Sequence, residues 1–268
     1  MVTPGLEVEG RRQWIGLLAV ALVSYALCDL LHESAHAAAT LLPLGVRALS
    51  ISTVAVATSS SSPVVAAAGC LANLALGLTI GLSFVATLGS PWRYFWWLFG
   101  SLNLFNATGY LLYSAVLDSG DMAVTLRAVA PPLLWRPVAG IVGLGLYAGA
   151  LQLSRLGLQR LVGPGGVIPP SRIEQCCMIP YWSGGILLVA GAALNPASPW
   201  LILTSGAAVG FGAMAGLAVL PRLLPIRDRD GQRQRASPDF AWPWLLAGGL
   251  AALIFVGVFG PGVRLGGP

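Results

Sequence analysis

His32 and His36 are the only histidines of this 268-residue chain, and they lie four positions apart with Glu33 directly after the first. On a helix, residues i and i+4 share a face, so both imidazoles could bind one metal ion. Glu33 could lean over the same site and take a proton from a metal-bound water. The alternative is a set of polar side chains that only hydrogen-bond at a helix contact. Since such residues are unfavourable in an apolar helix without a function, the spacing favours a catalytic metal centre.

The chain that carries these residues is unusually apolar. It is 56% hydrophobic and 9% charged, with a mean hydropathy of +0.78, whereas soluble domains have about 25% charged residues. We therefore predict an all-α polytopic membrane protein, embedded in the lipid bilayer of a bacterial or archaeal cell membrane. All fifteen basic residues are arginines, mostly in the predicted loops, where they set topology. The net charge of +5 therefore indicates no nucleic-acid partner.

The pattern of apolar runs predicts about six or seven transmembrane helices, with a short β-like segment over 46–57 after the first helix. The arginine distribution favours a cytoplasmic N-terminus, and it places the ends of the first and third spans on one membrane side. The loop over 159–180 is rich in glycine and proline and contains Cys176 and Cys177. The seven predicted spans cover residues 13–42, 63–88, 92–117, 137–158, 181–194, 199–220 and 240–259, of which the fifth is the shortest.

A catalytic zinc usually has three protein ligands, and a third histidine does not exist here. Glu174 is the only glutamate after Glu33, and its predicted loop lies on the opposite membrane side. Asp29 precedes His32 by one turn and could instead orient an imidazole from outside the ligand set. Three further aspartates lie in an arginine-rich loop and are interpreted as solvated charges: Asp228, Asp230 and Asp239.

Elimination leaves Asp118 and Asp121, which are three positions apart and would point the same way on a helical turn. One of them would bind the metal while the other supports the site. The alternative is that both cap the following segment. The sequence leaves open which of the two is the third ligand.

Three short motifs resemble those of the site-2 protease family of intramembrane zinc metalloproteases, the M50 peptidases. His32 to His36 matches the HExxH motif that this family has in its first core span. The run Ala68-Gly69-Cys70-Leu71-Ala72-Asn73 resembles its Gly-Pro-x-x-Asn element, and Leu117-Asp118-Ser119-Gly120 resembles its Leu-Asp-Gly element. The resemblance covers about residues 13–130, so we divide the chain into a protease-like core over 1–130 and additional helices over 131–268.

The resemblance implies a zinc metalloendopeptidase that cleaves membrane-embedded protein substrates. His32, His36 and Asp118 would bind the zinc ion, with Asp121 as the rival ligand because the Gly120-Asp121 pair resembles some divergent relatives. Glu33 would activate the zinc-bound water, and Asn73 would support the site or the substrate. The segment from Leu49 to Val56 lies where the family has an edge strand, which holds an extended substrate by backbone pairing.

The competing interpretation is a non-proteolytic membrane protein that keeps a metal site, such as a transporter or a regulator. Glu33 distinguishes the two, because a protease needs its carboxylate whereas a site that only binds metal does not. The sequence predicts neither the substrate nor the oligomeric state.

Overall fold

A computed structural model describes residues 4–83, 90–162, 170–196, 199–200, 202–224 and 242–265. It confirms the predicted fold class, an all-α multi-pass membrane protein with a small three-stranded sheet. The helices are α1 (Pro4–Ala39), α2 (Pro63–Leu82), α3 (Ser90–Leu117), α4 (Asp121–Arg127), α5 (Pro132–Val162), α6 (Pro170–Ala193), α7 (Ala215–Val219) and α8 (Trp242–Ile254). A π-helical segment (Ile202–Ala213) precedes α7, a 3-10 turn (Leu220–Leu223) follows it, and a π-helical turn (Phe255–Phe259) extends α8.

The helix that carries the HExxH motif is longer than the apolar run predicts. α1 has 36 residues, which corresponds to about 54 Å, and it begins at Pro4 instead of near Gln13. It ends at Ala39, ahead of Pro43 and of Gly45, which has a φ of +68°. Proline and a left-handed glycine both stop a helix, so this end agrees with the expectation.

The predicted loop over 159–180 is wrong, because most of it is helical. α5 extends to Val162 and α6 starts at Pro170, so that Cys176 and Cys177 lie inside α6. The predicted spans begin at or directly after Pro137 and Pro180, whereas these prolines lie within α5 and α6. A proline removes one backbone hydrogen bond, but neighbouring helices stabilise such positions in membrane helices.

α3 lies in the interior of the bundle, between α2 and α5, and also contacts α1. Its 28 residues correspond to about 42 Å, enough to cross a bilayer, although it is less apolar than the six helices that qualify as spans by hydropathy. Several polar side chains of α3 are buried, and two of them bond to backbone carbonyls of the same helix: Asn103 to Phe99 (2.8 Å) and Thr108 to Leu104 (2.7 Å). A helix shielded from lipid need not be apolar on every side.

The sheet determines whether the chain crosses the membrane an even or an odd number of times between its strands. Strands β1 (Ala48–Ile51), β2 (Val56–Thr58) and β3 (Val263–Arg264) form an antiparallel sheet in the order β2-β1-β3. Because β1 pairs with β3, the chain must cross the membrane an even number of times between them. Five of the described helices between these strands qualify as spans by hydropathy, and α3 is the remaining one of sufficient length. With α1, the described helices give seven candidate crossings, an assignment in which α1 and α3 end on the same side.

This parity predicts the outcome of a labelling experiment. We expect single cysteines at Ser60 and Leu265, in a background without native cysteines, to react with a membrane-impermeant maleimide from the same side of sealed vesicles. A cysteine at Gln175, near the start of α6, should react only from the other side. Labelling of positions 60 and 265 from opposite sides would contradict the seven-crossing topology.

The same sheet corrects the prediction of an edge strand over Leu49 to Val56. The segment from Leu49 to Val56 forms the first strand of a hairpin and the turn after it. β1 is the central strand: it pairs with β2 on one side and with β3 on the other, and the amide of Leu265 donates to the carbonyl of Leu49 (2.8 Å). The C-terminal strand therefore occupies a side of β1 that the prediction left open for a substrate.

Candidate metal centre

One face of α1 carries four ionisable side chains into the bundle. Asp29, His32, Glu33 and His36 lie at positions i, i+3, i+4 and i+7, the spacing of a single helical face. All four are buried, with exposed fractions between 2% and 9%. His32 and His36 lie against Gly69 of α2, and His32 stacks on Tyr110 of α3, so this face is turned into the bundle.

The two imidazoles and the carboxylate of Asp121 meet at one point. The Nε2 atoms of His32 and His36 are 3.0 Å apart, and they lie 3.1 Å and 3.3 Å from Oδ2 of Asp121. Among the described residues, these three form the group of side chains whose donor atoms could bind one metal ion. The structure thus brings together residues that are almost ninety positions apart in the chain.

The triangle of donor atoms has the size that a zinc ion requires. Nitrogen and oxygen ligands lie about 2.0–2.1 Å from a tetrahedral zinc, so that they are about 3.3 Å from one another. The observed separations of 3.0, 3.1 and 3.3 Å match this edge length. Two imidazoles and one carboxylate are also a common donor set of catalytic zinc sites, which leaves a fourth position for water or substrate.

The tautomer of His36 also fits a metal ligand. Its Nδ1 lies 2.6 Å from the carbonyl oxygen of Val65, which can only accept, so Nδ1 carries the proton and donates. In a neutral ring, Nε2 then holds a bare lone pair that faces the carboxylate of Asp121. Two acceptors at this distance require a cation or an additional proton between them. Orientation of a ligand imidazole by a backbone carbonyl is typical of metal sites.

Gly69 allows α2 to approach the donor atoms closely. A Cβ at this position would lie 2.7 Å from both Cε1 and Nε2 of His32, and it would also collide with Nε2 of His36. The described buried face of α2 consists of Val65, Gly69, Cys70, Asn73 and Gly77, small or polar residues at intervals of about four. Glycine at this contact is therefore a steric requirement of the site.

Asp121 reaches the histidines because of the turn between α3 and α4. Asp118 has a φ of +52° and Gly120 a φ of +82° with a ψ of −176°, and the second conformation is open only to glycine. This turn makes Asp121 the first residue of α4. Burial alone would raise the pKa of Asp121, but in the absence of a metal ion proton donation from the charged forms of His32 and His36 outweighs that effect and holds the pKa below its ordinary value. Asp121 is therefore ionised at neutral pH, as a metal ligand must be.

Asp118, the first of the two predicted third ligands, points elsewhere. Its Oδ1 accepts from Nε (3.0 Å) and Nη2 (2.6 Å) of Arg127, and Nη2 also donates to its backbone oxygen. About a third of its side chain is exposed. Since the carboxylate of Asp118 is paired with Arg127 and does not face the histidines, the structure favours Asp121 of the two alternatives.

The other predicted site residues lie around this centre. Glu33 is 4% exposed, its Oε2 has no hydrogen-bond partner among the described residues, and it interacts electrostatically with Asp29 and Asp121. Asp29 makes no described hydrogen bond to either imidazole, so the role of orienting one belongs to Val65 for His36. The Nδ2 atom of Asn73 lies 3.8 Å from the sulfur of Cys28, away from the three donor atoms.

Sequence reasoning missed two contacts of the centre. The carbonyl of Val65 carries no sequence signal, since any residue supplies it. Tyr110 stacks on His32 with ring centroids 5.1 Å apart and an interplanar angle of 26°. A signal for Tyr110 does exist, because it follows Asn103 and Asn106 at a helical spacing that continues one polar face of α3.

The comparisons with known proteins add no relative to this picture. No protein-family model matches the chain, and neither the curated proteins nor the solved structures compared with it are similar.

Proposed function

We propose that this membrane protein is a zinc-dependent intramembrane protease of the site-2 protease type. His32, His36 and Asp121 would hold the zinc ion, and Glu33 would act as the general base. The observation that carries the proposal is the convergence of three donor atoms within 3.3 Å of one another, with a buried glutamate that interacts electrostatically with Asp121. Hydrogen bonds alone span similar distances, but because Nδ1 of His36 donates to Val65, the contact between its Nε2 and the Asp121 carboxylate requires a cation or an added proton.

Zinc in this position would supply Lewis-acid chemistry, polarising a peptide carbonyl and acidifying a water molecule. The remaining steps belong to Glu33. Its carboxylate would take a proton from the attacking water and pass it to the amine that leaves. Oε2 of Glu33 has no partner among the described residues, so it is free to accept that proton. Glu33 directly follows His32 in the sequence, so it lies in the same part of α1 as the donor atoms.

The position of the centre supports a membrane-embedded protein as the substrate. His36 lies one turn before the end of α1, so the site is near one face of the bilayer and not at its midplane. Of the three proposed ligands, Asp121 is the exposed one, with 30% of its side chain accessible, whereas His32 is 2% exposed. Water and an unwound segment of a transmembrane substrate would therefore reach the centre past α4.

The test is peptide cleavage by purified, reconstituted protein that contains about one zinc per chain. The probe is a mixed set of synthetic single-span peptides, and mass spectrometry detects new termini. We expect Glu33→Gln to keep its zinc and to lose cleavage by at least about 100-fold, since a positioned general base contributes roughly 10²–10⁴-fold. Glu174→Gln is the matched control, because Glu174 is exposed near the start of α6, across the membrane from the site.

Two outcomes would overturn the proposal. Zinc-loaded wild type that cleaves no member of the set would favour the non-proteolytic metal-binding alternative. Cleavage that continues unchanged in Glu33→Gln would show that the activity does not use this centre.

A further inference from the structure

The short helix α4 supplies the third donor of the metal centre, and its neighbours must hold it in place. It has seven residues, and Asp121 is the first of them. A helix of this length is not stable by itself, so packing and polar contacts must fix its direction, and Ala123 is fully buried against α3 and α5. Near its middle, the hydroxyl of Thr125 donates to the carbonyl of Pro63 (3.1 Å), which ties α4 to the start of α2.

Arg127, the last residue of α4, contacts Asp118, which directly follows the end of α3. Its guanidinium binds both the carboxylate and the backbone oxygen of Asp118. Asp118 is the only described residue other than glycine with a positive φ. Left-handed backbone in a non-glycine residue persists where surrounding contacts over-determine it. The pair thus closes a loop from the end of α3, through Asp121, to the end of α4.

A second arginine fixes the other side of this turn. Arg136 of α5 donates from Nε to the carbonyl of Ala115 (2.9 Å) and from Nη2 to that of Val116 (2.6 Å). The last carbonyls of a helix have no intrahelical partner, and a cation there is also favoured by the helix dipole. The end of α3 is therefore held from α5, and the pair of Arg127 with Asp118 is the described ion pair that ties α4 to this end.

We propose that the ion pair of Asp118 and Arg127 is a latch that holds Asp121 against the two histidines. Arg127 is then a positioning residue, about 9 Å along α4 from the ligand that it places. Metal sites require their ligands within about 0.5 Å of the productive geometry, so a small rotation of α4 would weaken binding. This inference rests on the metal centre of the proposed function, but not on proteolysis.

The test is zinc affinity, together with the visible absorption of the Co²⁺-substituted protein, which reports coordination geometry. We expect Arg127→Met and Asp118→Asn each to weaken zinc binding about 10–100-fold, the effect typical of an outer-shell partner. Asparagine tolerates the left-handed conformation, so Asp118→Asn removes the charge and keeps the turn. Arg127→Lys should restore part of the affinity. Arg155→Met is the control, because Arg155 is bound to Gln152 on α5, outside the latch.

A double-mutant cycle separates positioning from general stability. In the Asp121→Ala background, Arg127→Met should change zinc affinity by less than about 2-fold, since the ligand that it positions is gone. An equal loss in both backgrounds, or wild-type affinity and Co²⁺ spectrum in Arg127→Met, would overturn the latch while leaving the metal centre intact. Wild type that takes up no zinc would overturn both proposals, whereas zinc uptake without cleavage would overturn only proteolysis.

Discussion

Replacement of Gly69 by alanine is expected to abolish zinc binding while the helical bundle stays folded. The added methyl group would lie 2.7 Å from two ring atoms of His32 and would overlap the Nε2 atom of His36. It would occupy the position from which α2 now faces the donor atoms, and the two imidazoles would have to separate. We expect zinc affinity to fall more than about 100-fold, beyond the 10–100-fold typical of an outer-shell change.

The measurement is zinc per chain by elemental analysis, with helicity by circular dichroism. Alanine favours a helix interior by about 1 kcal/mol over glycine, so the substitution should not unwind α2. Gly145→Ala and Gly149→Ala in α5 are matched controls, because nothing lies within 4 Å of a Cβ at either position. Full zinc occupancy in Gly69→Ala would show that the metal is bound elsewhere.

Removal of the Asp121 carboxylate should have an effect of similar size, and the neighbouring Asp118 provides the contrast. Asp121→Ala leaves two imidazoles without the oxygen donor that lies 3.1 Å and 3.3 Å from them. We expect its zinc affinity to drop more than about 100-fold, again beyond an outer-shell effect. Asp118→Ala keeps all three donors, so at saturating zinc it should still hold about one ion per chain.

The two aspartate variants are compared by zinc titration of purified protein, with gel filtration to verify that both are folded. Zinc loss in Asp118→Ala together with full occupancy in Asp121→Ala would reverse the assignment of the third ligand. It would also remove the basis for Arg127 as a positioning residue.

The polar face of α1 could be predicted from the sequence because it depends on helical periodicity alone. His32, Glu33 and His36 fall on one face of any helix with this spacing, and the surrounding apolar run predicts the helix. The helix over 92–117 was also predicted from its apolar run and corresponds to α3, although its buried asparagines lower its hydropathy. Local spacing is sufficient where a single element carries the whole feature.

The choice between Asp118 and Asp121 could not be predicted, because it depends on backbone conformation. A regular helical turn would point both carboxylates the same way, whereas the positive φ angles at Asp118 and Gly120 separate them. The pairing of Asp118 with Arg127 also joins residues nine positions apart across a turn. Neither feature has a signature in residue spacing.

The β-like segment over 46–57 was predicted, but the third strand of the sheet was not, for a related reason. β3 has two residues, and it exists as a strand only because β1 lies beside it. α6 was shortened because Pro180 resembles a helix boundary in sequence but lies inside a packed membrane helix. In both cases tertiary contacts stabilise a conformation that local sequence propensity does not predict.

The pairing of β1 with β3 also has a consequence for biosynthesis. β1 leaves the ribosome directly after α1, whereas its partner β3 follows α8 and its π-helical extension. Contacts between segments so distant in sequence form late, because the intervening chain must be ordered first. A nascent chain that stops before α8 therefore lacks one partner of the central strand, next to the end of α1. Completion of the sheet marks a chain that has been translated and inserted as far as β3.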